Sequence, residues 1–377
     1  MSTVRFDPGK REDAPKVPKG RIPLGDPLIA PRPIPRTKMQ IILPAVLGVA
    51  FLGMIALIVS QPGLRTGTVG IFSLFFPVMM LMSFGGMFMM NRGGGGDKQL
   101  SPAQMEEARR EQLRELDGKR EEVHDVARAQ FAQFQFLHPE PSQLGGLVGS
   151  PRMWERSTAH PHFGFVRLGV GASKLAMEFE TPLLGRPEDY EPITFDAMRA
   201  FLLEQGSVRG IAKPQSFSAV PGLGLVGGQA GMEPVYAVAR AMICQAAVFH
   251  SPVDLKVMVL TDDVSRWEWC KWLPHCQHPT LVDSGGAARM VWGSPEEMNA
   301  AVGAELHDRK GFGEVAGTTP HWLVFNDQAR VDAEWETLTR KAGVAGVTFV
   351  RLAAEKGSGV GFADATTLFI TEDEGLS

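Results

Sequence analysis

Two uncharged apolar runs near the N-terminus, residues 39–60 and 66–90, stand apart from a chain that otherwise alternates short apolar and polar stretches. A helix rising about 1.5 Å per residue would carry either run across a hydrocarbon layer of roughly 30 Å. Residues 61–65 between them leave room only for a tight reversal, so the pattern predicts a two-helix transmembrane hairpin. Arg32, Arg36 and Lys38 precede the first run, Arg92 and Lys98 follow the second, and only Arg65 lies between. The positive-inside tendency then predicts a multi-pass protein of the inner (plasma) membrane with both termini in the cytoplasm.

Residues 1–38 are rich in proline and basic side chains and show no apolar period. Such a segment is either a flexible tail or an extended strap laid on a partner, because it cannot by itself bury enough surface to offset ordering. After the glycines at 93–96, residues 97–138 read as a charged helical stalk. Ser101, Pro102 and Gln104 form its start as cap, first-turn proline and capping-box partner. Leu113, Leu116, Val123, Ala127, Phe134 and Leu137 fall near heptad positions, with Arg120 and Gln130 interrupting. That stripe suits a docked partner or a helix lying back on its own domain.

Residues 139–377 read as one cytoplasmic domain. Alternation over 163–179 predicts a hairpin, followed by a helix near 194–203. Apolar runs at 223–226, 255–260, 289–292, 322–325 and 347–352 then alternate with helical segments at 232–249, 264–273, 295–307 and 335–341, and 368–371 closes the edge. Strands separated by helices predict an α/β domain with a mostly parallel sheet, covered on both faces.

Composition narrows the chemistry. A net charge of −4 over 377 residues, with 21% charged, gives no reason to expect nucleic acid as a partner. Cys244, Cys270 and Cys276, on the expected cytoplasmic side, are predicted to be reduced thiols.

The turn from Gly227 to Gly231, with Gly228 between, follows the first parallel strand and opens a helix. That is the context of a phosphate-cradling loop. The places of the catalytic lysine and the magnesium-binding hydroxyl, however, hold Met232, Glu233, Pro234 or Val235. Downstream, the apolar run before Asn326 and Asp327 has the shape of a magnesium-binding strand, with Gln328 where a glutamate would follow. Gly227, Gly228, Gly231 and Asp327 therefore read as a degenerate nucleotide site, and the simplest alternative is a structural glycine turn. Cys270, His275, Cys276 and His278 crowd one short run rather than the two distant stations of a zinc framework, so no metal is expected. His160 and His162 read as surface residues. Trp267, Trp269 and Trp272, with Lys271 among them and His275 after, form the densest aromatic cluster, read either as a core wedge or as an interface knob.

The run Trp267-Glu268-Trp269-Cys270-Lys271-Trp272-Leu273-Pro274-His275, the run Gly149-Ser150-Pro151-Arg152-Met153-Trp154-Glu155-Arg156, and the paired spans with a charged stalk together resemble the N-terminal half of EccC. EccC is the FtsK/SpoIIIE-type ATPase of type VII (ESX) secretion systems in mycobacteria and actinobacteria. The resemblance covers nearly the whole chain. It implies a degenerate P-loop-ATPase-like domain over 139–377, of uncertain activity by the resemblance alone; the missing Walker lysine in the glycine loop predicts that this segment is inactive in hydrolysis. It also implies an oligomeric inner-membrane complex with EccB, EccD, EccE and further EccC copies, exporting WXG100, PE and PPE-type proteins. ATP and magnesium belong to the family's further ATPase domains, and no cofactor is expected in this segment. The expected role is anchoring, assembly and relay. The alternatives are an active ATP-hydrolysing domain, with Lys256 or a neighbouring subunit's arginine as cation donor, or an FtsK-like DNA translocase.

Overall fold

The structure, a computed structural model, describes residues 11–30, 38–60, 79, 82–83, 100–181, 185–314, 320–329, 335, 337, 339, 343–355 and 366–370. Among these residues no helix is long and apolar enough to cross a membrane. This overturns the multi-pass inner-membrane placement and leaves the transmembrane hairpin without support. The first apolar run forms helix α1 (Lys38–Ser60). The second run lies outside the described residues except for 79, 82 and 83, and the glycines at 93–96 lie outside them altogether.

The chain divides into two compact units, one of residues 22–120 and 179–204, the other of 1–21, 121–178 and 205–377. In the smaller unit residues 22–30 of the proline-rich segment are hydrogen-bonded to their own chain. Strand β1 (Arg21–Pro23) is short, and beyond it Leu24 N–H donates to the Glu180 carbonyl at 3.2 Å and Glu191 N–H to that of Leu28 at 2.7 Å. Helix α2 (Pro102–Leu137) starts as its sequence dictates. Ser101 N–H donates to Gln104 Oε1 at 2.9 Å, and Gln104 N–H returns a bond to Ser101 Oγ at 3.3 Å. Gln112 Nε2 donates to the Asp26 carbonyl at 3.0 Å, and Arg109 pairs with the buried Glu191 at 2.8 Å.

In the larger unit, the second half of α2 is bound by its own domain. Gln130, which reads in sequence as a break in the apolar seam, is buried. It donates to the Lys174 carbonyl at 3.0 Å and accepts from Ala176 N–H at 2.9 Å. Strand β2 (Phe165–Lys174) does not turn back at its glycines as the hairpin over 163–179 requires. In the smaller unit strand β3 (Glu178–Glu180) pairs with β1 and helix α3 (Pro192–Gln205) follows; in the larger unit β4 (Ser207–Ser216) is the antiparallel partner of β2. Register shifts around Gly169 and Gly171 mark irregularities where a turn was expected.

The central sheet contains β5 (Gly222–Val226), β6 (Leu255–Leu260), β9 (Val291–Trp292), β10 (His321–Asn326), β11 (Val347–Ala353) and β12 (Thr366–Phe369), in the order β12-β5-β11-β10-β6-β9. Every ladder is parallel. A two-stranded hairpin of β7 (Gln277–Asp283) and β8 (Gly286–Arg289) precedes β9. Successive side chains on a strand alternate faces, and here both faces are buried. Val257, Val259, Leu323, Phe325, Val350 and Leu352 meet helix α4 (Met232–Phe249) through Val235, Ala239, Met242 and Ile243. Met258, Leu260, Trp322, Val324 and Phe349 meet helix α5 (Pro295–Asp308) through Met298, Val302 and Leu306. The result is a mixed α/β domain built on a parallel six-stranded sheet.

The joint from β5 into α4 requires glycine for two separate reasons. A Cβ on Gly227 would lie 1.9 Å from the Gly231 carbonyl oxygen, whereas Gly228 faces open space but holds φ +52°. Gly227→Ala is therefore expected to lower unfolding free energy by about 1–3 kcal/mol through overpacking. Gly228→Ala should lower it by about 1–2 kcal/mol through left-handed strain alone. Chemical denaturation of both variants checks this, and no loss in either would contradict the turn.

Beneath the sheet's N-terminal edge lie three buried histidines. His250 accepts at Nε2 from Gly164 N–H at 3.0 Å, and its Nδ1 lies 2.9 Å from the Ala246 carbonyl it donates to. His321 Nε2 donates to Thr348 Oγ1 at 2.9 Å, and His275 Nε2 to the His250 carbonyl at 2.8 Å. Burial pushes His250 and His321 down to about 3 and His275 down to about 4. The folded chain thus holds them neutral where the unfolded chain protonates them near pH 6.5. Stability present above that pH should fall as the pH drops toward those folded values, by at most about 1.4 kcal/mol per pH unit for each group. Thermal unfolding between pH 7 and pH 4 should show this slope, and His321→Gln should make it shallower.

Candidate functional site

The carboxyl ends of the central strands form the crevice where ligands bind in open parallel α/β sheets. The glycine turn stands at the end of β5, Asp327 follows β10, and β11 lies between those two strands. A phosphate cradle needs backbone N–H groups directed outward from such a turn. Here Gly227 N–H donates to the Ala353 carbonyl at 3.0 Å and Gly228 N–H to that of Ala354 at 2.8 Å. Ala230 and Gly231 N–H close back on the carbonyls of Gly227 and Gly228 at 3.0 and 3.3 Å. Gly231 caps α4 without a side-chain acceptor, and Glu233 in the first turn faces solvent and pairs with Arg240 at 2.7 Å.

Asp327 is equally engaged. Its Oδ2 accepts from Trp267 Nε1 at 2.8 Å and from Arg266 at 3.3 Å. The same guanidinium donates to the Tyr236 hydroxyl at 3.0 Å, lies 4.2 Å from the centre of that ring, and pairs with Asp263 at 3.3 Å. Burial opposes the Arg266 charge, but Tyr236, Asp327 and Asp263 outweigh it and hold the guanidinium more firmly protonated than usual. Burial and the Asp327 charge together raise the Tyr236 hydroxyl. On the far side, Gln328 Nε2 donates to Asp262 at 3.2 Å and to the Gly293 carbonyl at 3.1 Å, tying the ends of β10, β6 and β9. Arg351 donates to the carbonyl and side-chain oxygen of Asn326, both at 3.2 Å, and burial lowers its affinity for the proton.

The aromatic cluster divides three ways. Trp267 is fully buried against Tyr236 and Phe325, Trp269 is half-buried beside it, and Trp272 is 78% exposed with Lys271 Nζ 5.8 Å from its ring centre. His275 lies in the buried histidine group below the sheet. Cys270 and Cys276 are buried free thiols, His278 bonds to its own turn, and no group of three metal-ligating side chains occurs among the described residues. Lys256 sits near the start of β6 and donates to the Gln277 carbonyl at 3.3 Å, so the cation bonded to Asp327 is Arg266 instead, with Arg351 held on the neighbouring Asn326. Sequence reasoning passed over Arg266, Tyr236 and Arg351. The available signal was Arg266 immediately before the tryptophan run.

A second constellation uses the other family-like run. Arg156 donates to the Phe165 carbonyl at 2.8 Å and to that of Leu137, the last residue of α2, while its guanidinium lies 3.9 Å from the Phe249 ring centre. Arg152 donates to the Phe136 carbonyl at 2.8 Å and pairs with Glu155 at 2.9 Å in a buried ion pair. Trp154, at φ +60°, donates from its backbone to Val248 at 2.8 Å and from Nε1 to the Ala247 carbonyl at 3.1 Å. These residues cap two helix ends at once. Gln245 adds a further tie, donating to the Pro139 carbonyl at 3.2 Å. Helix α4 thereby runs from the glycine turn to the end of α2.

No family model matches the chain. Among curated proteins, ESX-5 secretion system protein EccC5 of Mycobacterium tuberculosis is 34% identical over 354 residues, covering 90% of this chain and 24% of the relative. ESX secretion system protein EccC of Thermomonospora curvata is 30% identical over 93% of this chain and 26% of its own length. ESX-1 secretion system protein EccCa1 of Mycobacterium tuberculosis is 31% identical over 82% of this chain and 42% of its own length. A solved chain described as Thermomonospora curvata EccC (ATPases 2 and 3) in complex with a signal sequence peptide overlaps 38% of this chain and 29% of that one, at 18% identity and a TM-score of 0.28. The chain spans about a quarter of the length of the first relatives it matches. With 30–34% identity to the first two of these proteins over nine-tenths of its own length, the chain belongs to the EccC family of ESX secretion proteins.

Proposed function

We propose that this chain is a non-hydrolysing, ATPase-like segment of an ESX secretion component, and that it relays position rather than turning over nucleotide. The observation that carries this is the state of the crevice. The turn has no lysine, its first amides are bonded to Ala353 and Ala354, and Asp327 is paired with Arg266 and Trp267. Phosphoryl transfer relies on positioning and charge stabilisation by just these groups. Magnesium nucleotide therefore does not fit the crevice as it stands.

The clamp of Arg152, Trp154 and Arg156 supports the relay. A displacement at the glycine turn would pass along α4, a rigid helix, to the carbonyls of Phe136 and Leu137 at the end of α2. Motor domains elsewhere in an EccC protein would supply the work, and EccB, EccD, EccE and other EccC copies are the subunits such a segment would meet. Export of WXG100, PE and PPE-type proteins would be the output of the whole protein.

The full chain is expected to release phosphate from magnesium ATP no faster than buffer does. Turnover that Asp327→Ala abolishes would overturn the proposal. Arg156→Met strips charged donors from two buried carbonyls and should lower unfolding free energy by about 2–4 kcal/mol. In a complete EccC protein the same change should reduce export while ATP hydrolysis by the other domains persists; unchanged export would exclude the clamp from the relay.

A further inference from the structure

A buried carboxylate at the end of a strand needs a compensating charge, and in nucleotide-hydrolysing crevices a divalent cation supplies part of it. We propose that Arg266 is the resident cation of this crevice, standing where a divalent ion's charge would act, and that its removal uncovers an oxygen site for a hard divalent cation.

Four observations carry the inference. The Asp327 side chain is 1% exposed and that of Arg266 33%, so the charge reaches inward from a surface segment. Arg266 binds Oδ2 at 3.3 Å, while Oδ1, also buried, has no hydrogen-bond partner among the described residues. The guanidinium also holds the Tyr236 hydroxyl at 3.0 Å, so withdrawing it frees a second oxygen beside the carboxylate. Trp267 keeps its own bond to Oδ2 at 2.8 Å and would hold the carboxylate in place without Arg266. A small hard cation takes one or two carboxylate oxygens and completes its shell with water, which this group would permit. The proposal rests on the non-hydrolysing reading of the crevice, but its test uses metal without nucleotide and so fails separately from an ATPase assay.

Thermal unfolding of the full chain, in chelator and in millimolar manganese chloride, is compared for wild type, Arg266→Gln, Asp327→Asn and the double variant. Wild type should be indifferent to manganese. Arg266→Gln should melt about 5 °C or more below wild type in chelator and recover at least half of that with manganese. The double variant, having lost the uncompensated carboxylate, should melt above Arg266→Gln in chelator and ignore manganese, as should Asp327→Asn. Equal stabilisation of wild type by manganese, no response from Arg266→Gln, or an undiminished response from the double variant would overturn the proposal. If Arg266→Gln does not fold in either condition, Arg266→Lys decides: a melting point within a few degrees of wild type and no manganese response support a resident cation, and failure to fold overturns it.

Discussion

Leaving a carboxylate unpaired inside a protein costs several kcal/mol, so Asp327 constrains everything placed around it. It follows directly on β10, next to strands buried on both faces, and water cannot balance its charge there. Arg266 and Trp267 answer that demand from adjacent positions of one 3-10 segment, Val264–Trp272, whose N-cap Asp263 accepts from Ser265 N–H at 3.1 Å. One pairing thereby determines where the tryptophan run lies. Trp267 is drawn in to donate to Oδ2, its ring fills the space beside Phe325, and Trp272, five residues on, is left at the surface.

The opposite end of α4 shows the same economy with carbonyls instead of a carboxylate. Helices end with unpaired carbonyl groups, and those of α2 and α4 end near one another inside the larger unit. Arg152 and Arg156 satisfy the last carbonyls of α2, while the backbone and indole of Trp154 satisfy those of α4. Trp154 adopts a left-handed backbone to do so, a conformation that costs a non-glycine residue about 1 kcal/mol or more. Strain accepted at a residue that stitches two helix ends is consistent with the joint being rigid.

The central sheet was legible because buried parallel strands read as continuous apolar runs. Leu255–Leu260 and Met232–Phe249 fall where the residue pattern places them. The pairing of β2 with β4 was not legible, since Lys213 and Pro214 break any alternation in β4 and the partner lies beyond an intervening helix. The apolar character of residues 39–60 was plain and they do form one helix, but no helix among the described residues is long and apolar enough to cross a membrane. At the crevice, the glycine turn and Asp327 could be located in the sequence, but not what they bond to. Arg266 and Asp327 are 61 residues apart and meet only because β6 and β10 are neighbours. Likewise the amides of Gly227 and Gly228 point at Ala353 and Ala354 because β11 pairs with β5 in a register that sets Ala353 opposite Val226.

That register explains why a glycine-rich turn and a phosphate site are different statements. Gly227 is required because its α-carbon sits against the Gly231 carbonyl, and Gly228 because its φ is positive. Neither requirement refers to a ligand. Both arise from turning a buried strand directly into a helix that must pack back on the same sheet. The lysine and the magnesium-binding hydroxyl have no such packing role, and both are missing here. The glycines report the geometry of the β5 to α4 joint; only a cation at the helix start and free amides would report phosphate. In this chain the cation is Arg266, and it is directed at Asp327.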